Sequence, residues 1–132
     1  MSEQKIVVTF GGGVKVDARY KDFTFKTDQP VREGGENSAP APFDLFLASL
    51  ATCAGYFVAA FCQERKIALD GMSIVMTWTR SPESKLIDRI LIEINLPPDF
   101  PEKYRAAAVK AASQCTVKAH LAKPPEIVVE AR

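Results

Sequence analysis

Three thiols, Cys53, Cys62 and Cys115, set the chemistry open to this sequence. A cysteine that is not crosslinked is either small hydrophobic filler or a reagent, and as a reagent it must become a thiolate. Free cysteine has a pKa of about 8.5, so little of it is ionised at neutral pH unless a cation or a helix N-terminus lowers that value. Cys53 lies eleven residues beyond Pro42, the expected start of a helix. The helix dipole fades after the first turn, so that helix start cannot hold a Cys53 thiolate and a nearby arginine is required. Arg32, in the loop before the helix, and Arg19, at the end of an expected strand, are the candidates. Cys115 follows an expected helix that reads as ending near Gln114, where the negative end of the dipole would raise a thiol pKa and suit the partner of an attacking thiol. Cys62, nine residues from Cys53, points to the opposite face of the same helix and reads as packing.

These side chains need elements to hold them. Lys5 to Phe10, Val14 to Tyr20 and Phe23 to Lys26 alternate as short antiparallel strands, joined at Gly11-Gly12-Gly13 and Lys21-Asp22. Because the glycine run opens a strand and not a helix, it is a hairpin turn and not a phosphate loop. Thr27 to Ala41 is a loop long enough to be functional. Pro42 and Asp44 suit a helix start, and apolar residues continue through Leu45, Leu50, Cys53, Phe57 and Phe61, with Gly71 expected to end the segment. Met72 to Thr79 and Leu86 to Leu96 read as two strands, and Pro101 to Ser113 as a helix with an alanine-rich face. A short helical piece to Leu121 and a last strand, Ile127 to Ala131, complete the chain. The order predicts one α+β domain over residues 1–132, with a long central helix and a second helix packed on antiparallel sheets. Phe43, Phe46, Tyr56, Phe57 and Phe61 fall at helical spacing and are first of all core, although some could line an apolar ligand pocket.

The 132 residues are 47% hydrophobic and 25% charged, a composition that folds. A net charge of +1 with interspersed signs predicts no nucleic-acid partner, because phosphate binding needs a concentrated basic face. The polar opening from Met1 to Lys5 and the polar residues inside the apolar helix predict neither a signal peptide nor a membrane span. A cytoplasmic location is expected, in which three cysteines are thiols and not a disulfide framework. His120 and the cysteines lack the two-to-four-residue spacing of a structural zinc site.

The run from Gly34-Gly35 through Pro40-Ala41-Pro42 and Asp44 to Leu50-Ala51-Thr52-Cys53 resembles the corresponding segment of the OsmC/Ohr family. Cys115-Thr116-Val117-Lys118-Ala119-His120-Leu121 is similar to that family's second cysteine segment, except that Thr116 stands where proline is commoner. The resemblance implies an intertwined homodimer that reduces organic hydroperoxides through Cys53 and Cys115, with no metal, haem or nicotinamide, and with an external dithiol as reductant. Cys53 would attack the peroxide to give a sulfenic acid, and Cys115 would condense with it into a disulfide. It also implies that Arg32 holds the thiolate and that Asp44 orients the arginine. Nine residues at roughly 100° each put Asp44 and Cys53 on opposite faces of a straight helix, so Asp44 would act across a dimer or through a kink. Two other readings stay open on the same fold: a protein that binds an apolar ligand in a pocket the cysteines merely line, and a redox sensor with slow turnover.

Overall fold

A computed structural model describes residues 4–132, so the first three residues of the polar opening lie outside the described part. The chain divides into two compact units, one ending at Ala48 and the other spanning Ser49–Arg132.

The first unit is built on a three-stranded antiparallel sheet, β1 (Val7–Phe10), β2 (Val16–Tyr20) and β3 (Phe23–Thr27), in that order. Phe10 pairs with Val16 and Tyr20 with Phe23, so the turns fall where the sequence predicts them. Gly12 and Gly13 take positive φ angles of 96° and 57°, which the backward bend of the first turn requires and a glycine supplies without strain.

The loop after β3 has an internal framework that composition does not reveal. Asp28 is buried, and its Oδ2 accepts hydrogen bonds from the Ser38 hydroxyl at 2.6 Å, the Ser38 N–H at 3.0 Å and the Glu36 N–H at 3.2 Å. These donors hold its carboxyl well below the usual carboxylate range, the Ser38 hydroxyl most of all. The Asp28 N–H in turn donates to the carbonyl of Pro40, which closes the loop just before the helix. Gly35 sits so close to the Gln29 carbonyl that a side chain there would collide with it.

Helix α1 (Pro42–Glu64) runs for 23 residues. Its start is fixed by Ala41, whose carbonyl accepts from the Asp44 N–H at 2.9 Å while its own N–H donates to Asp44 Oδ2 at 2.9 Å, half of a capping box. It ends at Glu64, and the residue that stops it is Lys66 and not Gly71. The Ile67 N–H reaches the Cys62 carbonyl and the Lys66 N–H the Gln63 carbonyl, a Schellman closure in which Lys66 takes the left-handed conformation usually given to glycine. By length and composition α1 is the one helix among the described residues that could cross a membrane. In the fold it is a core helix: Leu50, Ala54, Val58 and Cys62, each four residues from the last, form one buried stripe.

In the second unit this stripe meets a hairpin of β4 (Ser73–Arg80) and β5 (Ile87–Asn95), paired antiparallel with Met76 opposite Ile92. Val58, Cys62, Phe100 and Ala108 form the core, with Ile74, Ile94 and Tyr104 packed on it. Ala108 comes from α2 (Arg105–Ala112), which is shorter than the sequence predicts because a 3₁₀ turn, Glu102–Tyr104, takes up its first residues. Helix α3 (Thr116–Ala122) follows. The expected last strand is absent: residues 123–132 form no strand, and Ile127, Val128 and Val129 are all exposed. A β-prone sequence becomes a strand only when an edge is there to pair with it, and none pairs with this segment.

Candidate active site

Cys53 projects from the middle of α1, half-buried, and Cys115, buried, is the residue immediately before α3. The two thiols lie near enough to shift each other's titration, and all three thiols of the chain are free. What holds them is the first turn of α3. The opening N–H groups of any helix have no partner within it, and here the Cys115 sulfur takes one of them. Cys115 caps the helix, its Sγ accepting from the Lys118 N–H at 3.4 Å. Val117 and Thr116, at the start of the same helix, stand near enough to Cys53 to act on its titration.

These contacts separate the two thiols electrostatically. The Val117 N–H, opposed by partial burial and joined by the Cys115 thiol and the Thr116 donors, lowers the Cys53 pKa below its ordinary value. Burial raises that of Cys115, and so does its neighbour Cys53, against the pull of the Lys118 N–H. The lower thiol is therefore Cys53, with Cys115 as a neutral S–H donor to it. The sequence places Cys115 at the negative end of a preceding helix; in the structure α2 ends at Ala112 and Cys115 sits at the opposite, positive end of α3. Its pKa still rises, because desolvation outweighs the donor. The start of α1 does not reach Cys53, yet an arginine is not the sole support open to its thiolate. Donors from another helix, visible only after folding, do part of that work.

Arg32 and Asp44 belong to the first unit. Arg32 is exposed in a 3₁₀ turn, Val31–Glu33, and shares with Asp44 a surface depression of about 450 Å³. Asp44 uses Oδ2 at the helix start. Arg19 is exposed on β2, opposite Thr24. Cys62 has no exposed surface, lies in the core, and has its thiol pushed up by burial.

Beside Cys115 the second unit holds an apolar cavity of about 380 Å³, lined by Leu50, Ile92, Val109 and Leu121 among others, with Arg105 and Lys118 as its cations. The aromatic residues of α1 that the sequence offers as pocket walls do not line it. Phe43 and Phe46 stack on each other, Tyr56 packs edge-on against Phe57, and Phe61 packs edge-on against Tyr104. Among the described residues no group of three His, Cys, Asp or Glu side chains is arranged to hold a metal ion. The sequence does not single out Thr116 and Val117 as neighbours of Cys53. Their one signal was position, directly after a candidate cysteine at a helix start.

Comparison with known proteins agrees with this architecture. The model of the OsmC-like protein family matches residues 35–130, a stretch that holds all three cysteines and Asp44 and begins after Arg32. No curated protein sequence matches the chain. Among solved structures, a Psychrobacter arcticus 273-4 protein described as an osmotic stress induced and detoxification response protein superposes with a TM-score of 0.75 at 21% identity, covering 90% of this chain and 88% of its own. An OsmC-like protein from Mycoplasma pneumoniae gives 0.70 at 15% identity, covering 93% and 89%. The organic hydroperoxide resistance protein OhrB of Bacillus subtilis gives 0.52 at 18% identity, covering 90% of each chain. At these identities the likeness is one of fold. With the family model spanning most of its length, the chain belongs to the OsmC-like protein family.

Proposed function

We propose that this chain is a thiol-dependent peroxidase that reduces organic hydroperoxides. The observation that carries the reading is the pairing of Cys53, whose thiol pKa is lowered beside the start of α3, with Cys115, a buried neighbour whose thiol pKa is raised by burial. In the reaction the Cys53 thiolate attacks the outer oxygen of the hydroperoxide, the O–O bond breaks, and the departing alkoxide takes a proton to leave as an alcohol. Cys53 is then a sulfenic acid. Cys115 loses its proton and attacks the Cys53 sulfur, hydroxide leaves and is protonated to water, and a Cys53–Cys115 disulfide remains. An external dithiol reduces it. The apolar cavity beside Cys115 suits the organic part of the substrate. The organic hydroperoxide resistance proteins among the structural neighbours support the same chemistry.

Arg32 and Asp44 complete the reading as an arginine that approaches the thiolate and a carboxylate that orients it; their shared depression supports the pair. We place the working enzyme in the cytoplasm as a homodimer, an assembly in which residues of one chain can serve the thiols of the other. A second reading, binding of an apolar ligand without turnover, draws on the same cavity. Titration of free thiols before and after one equivalent of cumene hydroperoxide decides between them. The peroxidase loses two thiols per chain and regains them with dithiothreitol; a binding protein loses none.

A further inference from the structure

We propose that the cavity beside Cys115 takes organic hydroperoxides that carry a carboxylate, with Arg105 and Lys118 receiving the acid group and the apolar walls holding the chain. The inference rests on the peroxidase reading, which puts the organic part of the substrate in this cavity, and it names the chemical class that the cavity selects.

The walls come first. Ile90, Ile92 and Ile94 alternate along β5, so they share one face of the hairpin and make one wall of the cavity. On α2, Val109 and Ala112 lie on the same helical face as Arg105, and on α3 Leu121 lies on the same face as Lys118. Each of these helices therefore brings apolar surface and one cation to the same space. Val109 is 52% exposed and Leu121 53%, so an apolar chain lying here would cover surface that the protomer leaves to water. A volume of about 380 Å³ is the size for a small organic molecule.

The polar groups decide which molecule. The lining contains no aspartate or glutamate. Its neutral polar groups are already engaged: the Ser113 hydroxyl donates to the Val109 carbonyl at 3.1 Å, and Cys115 Sγ accepts from the Lys118 N–H at 3.4 Å. The cations keep capacity in reserve. Lys118 makes no ion pair among the described residues, and Arg105 meets Glu102 through Nε at 3.4 Å, both side chains of that pair being more than half exposed. Such an exposed pair is worth little, and it leaves the two terminal nitrogens of the guanidinium, a planar fork that matches a carboxylate. A neutral ligand would fill the walls and leave both charges unused, and an ammonium would be repelled by them. An acid uses the walls and the charges together.

Octanoate, octan-1-ol and octylamine test this, because they share one chain, differ in the head group and do not oxidise a thiol. Each is titrated into the reduced full chain at neutral pH and low salt, with amide NMR following the signals of Ile92, Val109 and Leu121. Octanoate should bind about tenfold tighter than octan-1-ol, the weight of hydrogen bonds between charged groups, and octylamine, present as its ammonium, should bind weakest. Added salt should narrow the gap between acid and alcohol. Arg105→Gln should weaken octanoate about tenfold and leave octan-1-ol unchanged. Lys118→Gln should act in the same sense, and the double variant should bind acid and alcohol alike. Both side chains are exposed, so neither change opens the core. Equal binding of octanoate and octan-1-ol by the wild type, octanoate that leaves the cavity signals unmoved, or a double variant that keeps the preference overturns the assignment. Neutral cumene hydroperoxide tests the peroxidase reading separately, by thiol loss. Octanoate bound as expected without thiol loss leaves the cavity its ligand class and removes the reaction; thiol loss without preference for the acid leaves the reaction and removes the role of the two cations.

Discussion

At the scale of single residues, the thiol pKa is lowered at Cys53 and raised by burial at Cys115, and under the mechanism proposed above their variants should differ accordingly. Cys53→Ser should abolish peroxide consumption, whereas Cys115→Ser should react once and stop at a sulfenic acid that dimedone traps. Wild-type turnover by Cys53→Ser would reverse the assignment of nucleophile. Cys62 offers a control of a different kind. Its side chain is fully enclosed among Val58, Phe100 and Ala108, so Cys62→Ser buries a hydroxyl in apolar surroundings at a cost of about 1–3 kcal/mol. Urea denaturation should register that loss while peroxidase activity stays within a few-fold of wild type. An inactive but folded Cys62→Ser would bring this thiol into the mechanism.

At the scale of elements, the loop that leads into α1 depends on one carboxylate. The Asp28 carboxyl is held well below the 3.8 of an unperturbed aspartate, so between the folded and unfolded values the unfolded chain binds the proton more readily. The stability it contributes is complete at neutral pH and drains away as the pH falls below about 4. Asp28→Asn should lower the thermal midpoint at pH 7 and flatten its decline between pH 4 and 2.5; melting curves across that range would show parallel declines if the carboxylate were unimportant. Nothing in the sequence singles out Asp28, because its meaning lies in Glu36 and Ser38 folding back onto it. Elements with local causes were legible. Pro42, Asp44 and the apolar spacing announce α1, and the Gly11-Gly12-Gly13 break announces the first hairpin. Its end was misplaced, since Lys66 adopts a conformation for which Gly71 is the better sequence signal. The cysteine pair was legible as one residue type at two family positions, but the approach of the start of α3 to Cys53 was not, because it arises only through tertiary packing.

For the whole molecule, the pattern of exposed apolar side chains bears on the homodimer proposed above. Leu50, one of the apolar residues of α1, is buried within its own chain and lines the apolar cavity, so a charge there would damage the protomer itself. Tyr56, exposed on α1, and the segment Ile127–Val129 are the better probes. Tyr56→Glu and Val129→Asp should each shift sedimentation from dimer toward monomer, with the protomer's secondary structure retained; dimers unchanged by both would move the interface elsewhere. The uncovered C-terminal segment has a thermodynamic consequence as well. If a second chain supplies the edge that Ile127–Val129 lacks, part of the fold is completed only on association, and stability becomes a property of the solution as much as of the sequence. Diluting the protein a hundredfold should then lower its melting temperature by several degrees, so that a cell making little of it would hold a softer protein than one making much.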